Sequence, residues 1–232
     1  DTYPAIKKAL SVCGGKHSMF MTKSESQDTT ESYDEVLPTV SLDGDIAIIK
    51  LPDFLVTAED FLGTAEAGQK YAKVAEDFIH ENRDKIKGVV LDLRGNIGGD
   101  MGPMATAVSS LLPDGELVYY HYRSYDIPVT LKNGVVSNAG TGGRSLYPEE
   151  KLNVPVAILT DDMTASSGEA LTLCFRGLEN TRTFGAPTAG YTSVNMLYNM
   201  YDGAQMYLTV AFDKARTGEI FKETPIEPDV AT

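Results

Sequence analysis

The chain has 232 residues, enough for one α/β domain or a domain with a small appendage. Its 42% hydrophobic and 23% charged residues are ordinary for a globular protein. A formal charge of −13 gives a surface that repels phosphates, which argues against nucleic acid and anionic membrane as partners and favours neutral or basic substrates.

Taken in chain order, the first notable string is Gly14-Gly15-Lys16-His17-Ser18, which follows Cys13. Residues 22–37 are polar, lack periodicity and read as a long exposed loop. Asp45–Leu51 reads as a strand. Residues 65–84 read as an amphipathic helix, because Tyr71, Val74, Ala75, Phe78 and Ile79 recur at helical spacing. Gly88–Leu93 is a short apolar run expected as a buried strand. The turn after it, Arg94–Gly99, contains three glycines and leads into a helix over about 101–112. Two alternating strands fill 116–133, and a second glycine-rich loop spans 134–149. Val154–Thr160 is another buried strand, running into a helix over about 164–178. Residues 192–200 and 204–212 form a hairpin around Asp202-Gly203. Strands alternating with helices predict an α/β fold on a mainly parallel sheet, with functional groups at the carboxyl ends of its strands. Cys174 lies in an apolar run and reads as a buried thiol; two cysteines permit one disulfide without demanding it. No stretch reaches the roughly 18 apolar residues of a membrane span.

Four strings have residues suited to chemistry. In Thr164-Ala165-Ser166-Ser167-Gly168-Glu169, serines stand where a buried strand turns into a helix, and free N–H groups at a helix start can stabilise an oxyanion. The same string is a capping box, and starting a helix is a sufficient role for it. The turn Asp92-Leu93-Arg94-Gly95-Asn96-Ile97-Gly98-Gly99 can aim N–H groups at a substrate oxygen, yet it also reads as a tight strand–helix connection with Arg94 paired to a carboxylate. No Gly-Lys-Ser/Thr follows it, so it is no phosphate-binding loop. Of three histidines, only His17 lies in a glycine-flanked irregular segment; His80 falls in the 65–84 helix and His121 in a tyrosine-rich strand. Phe221-Lys222-Glu223-Thr224-Pro225-Ile226-Glu227-Pro228-Asp229 offers a carboxylate that can orient a histidine, or a solvated acidic tail held by prolines.

In their order and spacing these strings, with Gly185-x-x-Thr188-x-Gly190, resemble the catalytic core of the C-terminal-processing (tail-specific) serine peptidases, in particular their tricorn-like, histidine-using branch. The resemblance covers most of the chain. It implies a crotonase/ClpP-like layered β-sheet with flanking helices. Residues 1–40 are then an N-terminal segment carrying His17 and a polar loop, and 41–232 the α/β catalytic domain. It further implies peptide-bond hydrolysis through an acyl-enzyme on Ser166, with His17 as general base and Glu223 supporting the site. The oxyanion hole comes from the backbone of Ser167 and of Gly98 or Gly99, and no metal or cofactor is needed. The position of the lysine base in the other branch is Tyr191 here, which excludes a Ser–Lys dyad at that place. Lys16 stands where the tricorn-like pattern has a serine before the histidine, Ser18 follows it, and the carboxylate register leaves Glu227 open beside Glu223. The span from Ser18 to Asp45 is too short for the PDZ domain that many relatives carry. The expected partner is a peptide or protein, and the expected location extracytoplasmic. Two other readings stay open: a non-catalytic peptide-binding module on the same fold, and a crotonase-like acyl-transfer enzyme. The latter needs a basic patch for coenzyme A that this acidic chain does not offer.

Overall fold

The computed structural model describes residues 2–30, 36–55 and 64–232. Two sheets enclose a layer of helices. The parallel sheet begins with a hairpin, β2 (Thr39–Asp43) and β3 (Ile46–Lys50), whose tight turn uses Gly44 at φ 62°. Beside β3 run β4 (Gly88–Asp92), β9 (Val156–Thr160), β10 (Thr181–Gly185) and β14 (Val230–Ala231), all parallel. The uninterrupted apolar run of β4 is what a strand covered on both faces requires. Ala47, Ile49, Val89, Leu91, Val156 and Ile158 are all buried there.

The sheet is covered by α3 (Thr64–Asn82), α4 (Met101–Ala107) and α5 (Ser167–Phe175). α3 packs by Tyr71, Ala75 and Ile79 of the expected stripe together with Ala72, while Val74 and Phe78 are half-buried. α4 is capped by Asp100, whose carboxylate accepts the Gly102 N–H at 2.8 Å. It stops at Ala107 and continues as a 3-10 turn over Ser109–Leu111, so the expected helix over 101–112 is divided. α5 is buried from Gly168 to Phe175. Cys174 within it is a fully buried free thiol and Cys13 an exposed one, so no disulfide joins them.

The second sheet is antiparallel, which the expectation of one mainly parallel sheet did not include. Its path is β1 (Met19–Met21), β12 (Gln205–Ala215), β5 (Gly115–His121), β6 (Asp126–Lys132), β7 (Val135–Ser137) and β8 (Gly143–Arg144). β11 (Ser193–Asn199) and β13 (Ile220–Phe221) also pair with β12. β7 and β8 occupy what the sequence presented as a loop over 134–149. The overlooked signal is Asn133-Gly134, both at positive φ (48° and 71°), the dipeptide that turns β6 tightly into β7.

The N-terminal residues form α1 (Tyr3–Cys13), followed by β1, which pairs with residues 205–207 of β12. The polar stretch expected as a loop over 22–37 contains α2 (Lys23–Thr30). No apolar face announces it. A capping box starts it: Glu25 accepts the Thr22 N–H at 2.7 Å and donates its own N–H to Thr22 Oγ1 at 3.3 Å. Residues 31–35 of the same expected loop lie outside the described residues.

Candidate active site

The Ser166 turn lies at the carboxyl end of β9. Asp161 accepts N–H groups from Gly95, Met163 and Thr164 at 3.0 to 3.1 Å, and the Thr164 hydroxyl donates to Leu93 O at 3.0 Å. Ala165 donates its N–H to Asn96 O at 2.9 Å. These bonds fix the turn to the glycine-rich turn after β4. At its apex Ser166 has φ 51° and ψ −118°, a conformation that costs a non-glycine residue roughly 1–3 kcal/mol. Ser166 stands at the N-cap of α5, and Glu169 accepts its N–H at 2.9 Å.

Glu169 is fully buried and binds two segments together. Besides Ser166 it accepts the N–H groups of Gly190 at 2.8 Å and Tyr191 at 2.7 Å, and the Thr188 hydroxyl. Burial raises its pKa, and these donors oppose the rise. The Gly185-x-x-Thr188-x-Gly190 string therefore serves to complete the serine turn.

Asn96, wholly buried, organises the other wall. Its Nδ2 donates to Leu51 O and Pro52 O at 3.0 Å, and its Oδ1 accepts the Gly98 N–H at 2.9 Å. The N–H groups of Gly99 and Ser167 have no acceptor among the described residues. A Cβ on Gly98 would stand 2.8 Å from Ser166 Cβ, and one on Gly99 would overlap Phe54 O. Both positions thus require glycine, by their positive φ of 111° and 99° and by this crowding. Arg94 pairs with Asp92 through two contacts of 2.8 Å. Burial pushes the Asp92 carboxyl up, but the guanidinium holds it below the usual range.

His17 reaches the same cleft from the N-terminal segment. Its Nδ1 lies 2.9 Å from Ser193 Oγ, and Ser193 Oγ donates to Glu223 Oε1 at 3.4 Å. Glu223 also accepts the N–H groups of Lys16 at 2.8 Å and His17 at 3.2 Å, and Thr209 Oγ1 lies 3.1 Å from it. Burial pushes the Glu223 carboxyl up, but these donors hold it below the ordinary value. Asn195 Nδ2 donates to His17 O at 2.8 Å, and the His17 ring packs edge-on against Tyr191. Burial lowers the pKa of His17 below 6.5, partly offset by the charge of Glu223.

Ser166, Ser167, Gly99, His17 and Ser193 line one cleft of about 410 Å³. No hydrogen bond joins Ser166 to His17 among the described residues. Of the two carboxylates left open by the sequence, Glu223 reaches the histidine and Glu227 makes no such contact. Ser18, beside His17 in sequence, bonds instead to Gly14 O and the Thr209 N–H. The bridging serine is Ser193, 176 residues away, which sequence reading did not single out. His80 pairs with Glu150 and His121 with Asp126, neither in the cleft. A larger hollow of about 640 Å³ at the amino end of β9 brings together no histidine and serine of this kind.

The family model described as peptidase family S41 matches residues 45–232. The chain is 37% identical over 233 residues to a nisin-resistance protein of Lactococcus lactis subsp. lactis, covering 100% of this chain and 70% of the relative. It is 29% identical over 160 residues to the carboxy-terminal processing protease CtpA of Bacillus subtilis (strain 168), covering 68% of this chain and 32% of that one. A solved lipoprotein from Streptococcus agalactiae superposes with a TM-score of 0.80 at 30% identity, over 99% of this chain and 76% of that one.

Proposed function

The chain belongs to peptidase family S41 and is a hydrolase of peptide bonds; from that premise we propose that Ser166 is its nucleophile and His17 its general base. The observation that carries this is the run Glu223–Ser193–His17, which ends in the cleft where Ser166 is held in a strained conformation. His17 donates Nδ1–H to Ser193, and Ser193 donates to Glu223. That fixes the tautomer with a lone pair on Nε2. Nε2 takes the Ser166 proton as Oγ attacks the substrate carbonyl, and Glu223 stabilises the imidazolium through the hydroxyl relay. The Gly98 N–H is already given to Asn96, so the developing oxyanion receives the N–H groups of Gly99 and Ser167. The imidazolium then protonates the leaving amine, and a water deprotonated by His17 releases the acyl group from Ser166.

The division of labour follows the chain: residues 1–40 bring the base, and 41–232 hold the nucleophile and oxyanion groups. The substrate is a peptide. Likeness to a nisin-resistance protein and to a lipoprotein supports a role at the cell envelope or outside the cytoplasm. No described helix is long and apolar enough to cross a membrane.

Turnover of a fluorescence-quenched peptide library tests the reading. The wild-type chain should cleave it. Ser166→Ala and His17→Ala should each lose about 10²–10⁴-fold or more in kcat. Equal turnover by Ser166→Ala would overturn the assignment.

A further inference from the structure

We propose that the Asp213 carboxyl forms the floor of the substrate cleft and selects peptides that place a lysine or arginine side chain there. The proposal rests on the cleft being the peptide site. Asp213 lines it together with Ser166 and is 2% exposed. It lies on β12 between Ala211 and Ala215, which face the same interior. No group of the described residues hydrogen-bonds its carboxyl, and its backbone N–H is donated to Thr192 O at 3.1 Å. No basic side chain is among the groups that act on it. Burial, reinforced by Glu169, pushes its pKa up to about 8. The neighbouring basic residues bond elsewhere, Lys214 to Asp126 at 2.7 Å and the Arg216 Nη2 to Cys174 O at 2.6 Å, and neither bonds the Asp213 carboxyl.

A buried carboxyl without a partner costs stability and does nothing for packing, so its presence in a substrate cleft points to an incoming partner. Its surroundings fit a long cationic side chain. Met101, Tyr120 and Ala170 also line the cleft and offer apolar surface to a methylene stem. An ammonium or guanidinium at the end of that stem would displace the carboxyl proton and form an ion pair at low dielectric. The chain's charge of −13 attracts such peptides over longer distances.

The test measures binding, not turnover, so it does not depend on whether Ser166 is the nucleophile. Ser166→Ala protein is titrated calorimetrically near pH 7 with capped heptapeptides carrying lysine or norleucine at one position, walked along the sequence. At one position lysine should bind about 30-fold more tightly than norleucine. About one proton should be released on binding, read from buffers of different ionisation enthalpy. In Ser166→Ala/Asp213→Asn the ratio should fall to about one. Equal affinity of the two peptides at every position overturns the proposal without recourse to the Asp213 variant. So does a lysine preference that survives Asp213→Asn in folded protein.

Discussion

The pH behaviour of the site turns on His17. Burial favours its neutral form, so its pKa lies below the ordinary 6.5. A general base must be neutral, so kcat/KM should rise as pH increases through a value below 6.5 and level off by neutrality. A rising limb well above 6.5 would mean that another group is the base. In the proposed mechanism Ser193, bonded to the His17 ring, acts through it as a positioning residue. Ser193→Ala should lower kcat by about 10–100-fold with little change in KM and displace the acidic limb, and Ser193→Thr should recover part of the loss. A purely structural role would leave the limb in place. The Ser166 conformation gives a prediction of opposite sign for stability. Ser166→Gly removes a side chain that φ 51° disfavours, so the inactive variant should melt higher, by roughly 2–4 °C for each kcal/mol relieved. Ser166, His17 and Glu223 were legible in the sequence because each sits in a string with local character. Ser193 was not. It is an ordinary strand residue, and only the pairing of β11 with β12 brings it to His17.

At the scale of elements, the site depends on turns fastened to one another by buried polar groups. Glu169 accepts donors from two segments, so Glu169→Ala leaves three N–H groups and the Thr188 hydroxyl proton without their acceptor. It should cost at least about 3 kcal/mol and abolish turnover, as thermal melting and peptide cleavage would record. A loss under about 1 kcal/mol would show that water replaces the carboxylate. The same carboxylate shows how a sequence string can hold two meanings. Ser166-x-x-Glu169 reads as a capping box, and the Glu169 half of that box is indeed formed. Ser166 at the head of that box also lines the cleft. β3, β4 and β9 were legible from their short apolar runs and α3 from its helical periodicity, whereas β2, β10 and β14 were not singled out. The small strands β7 and β8 and the helix α2 were not, because their signals are a two-residue turn and a cap, not an apolar pattern.

Across the whole molecule, the proposed general base and nucleophile belong to parts of different robustness. Ser166 rises from the buried parallel sheet and α5, whereas His17 precedes a three-residue strand on β12. α1 buries no residue, and Phe20 is the buried anchor of β1. Phe20→Ala should therefore loosen residues 3–21, raise hydrogen exchange there and reduce turnover, while the main melting transition moves little. A large fall in that transition would instead make the N-terminal segment part of the global core. Such an arrangement was only partly legible. The sequence placed His17 in a segment that must fold back to the site, but the antiparallel sheet that receives it is assembled from strands distant in the chain. The most direct test of the whole account is to treat the folded protein with a fluorophosphonate and map the adduct by mass spectrometry. The adduct should lie on Ser166 and be absent from Ser166→Ala. An adduct on Ser167, or an unmodified folded protein, would contradict it.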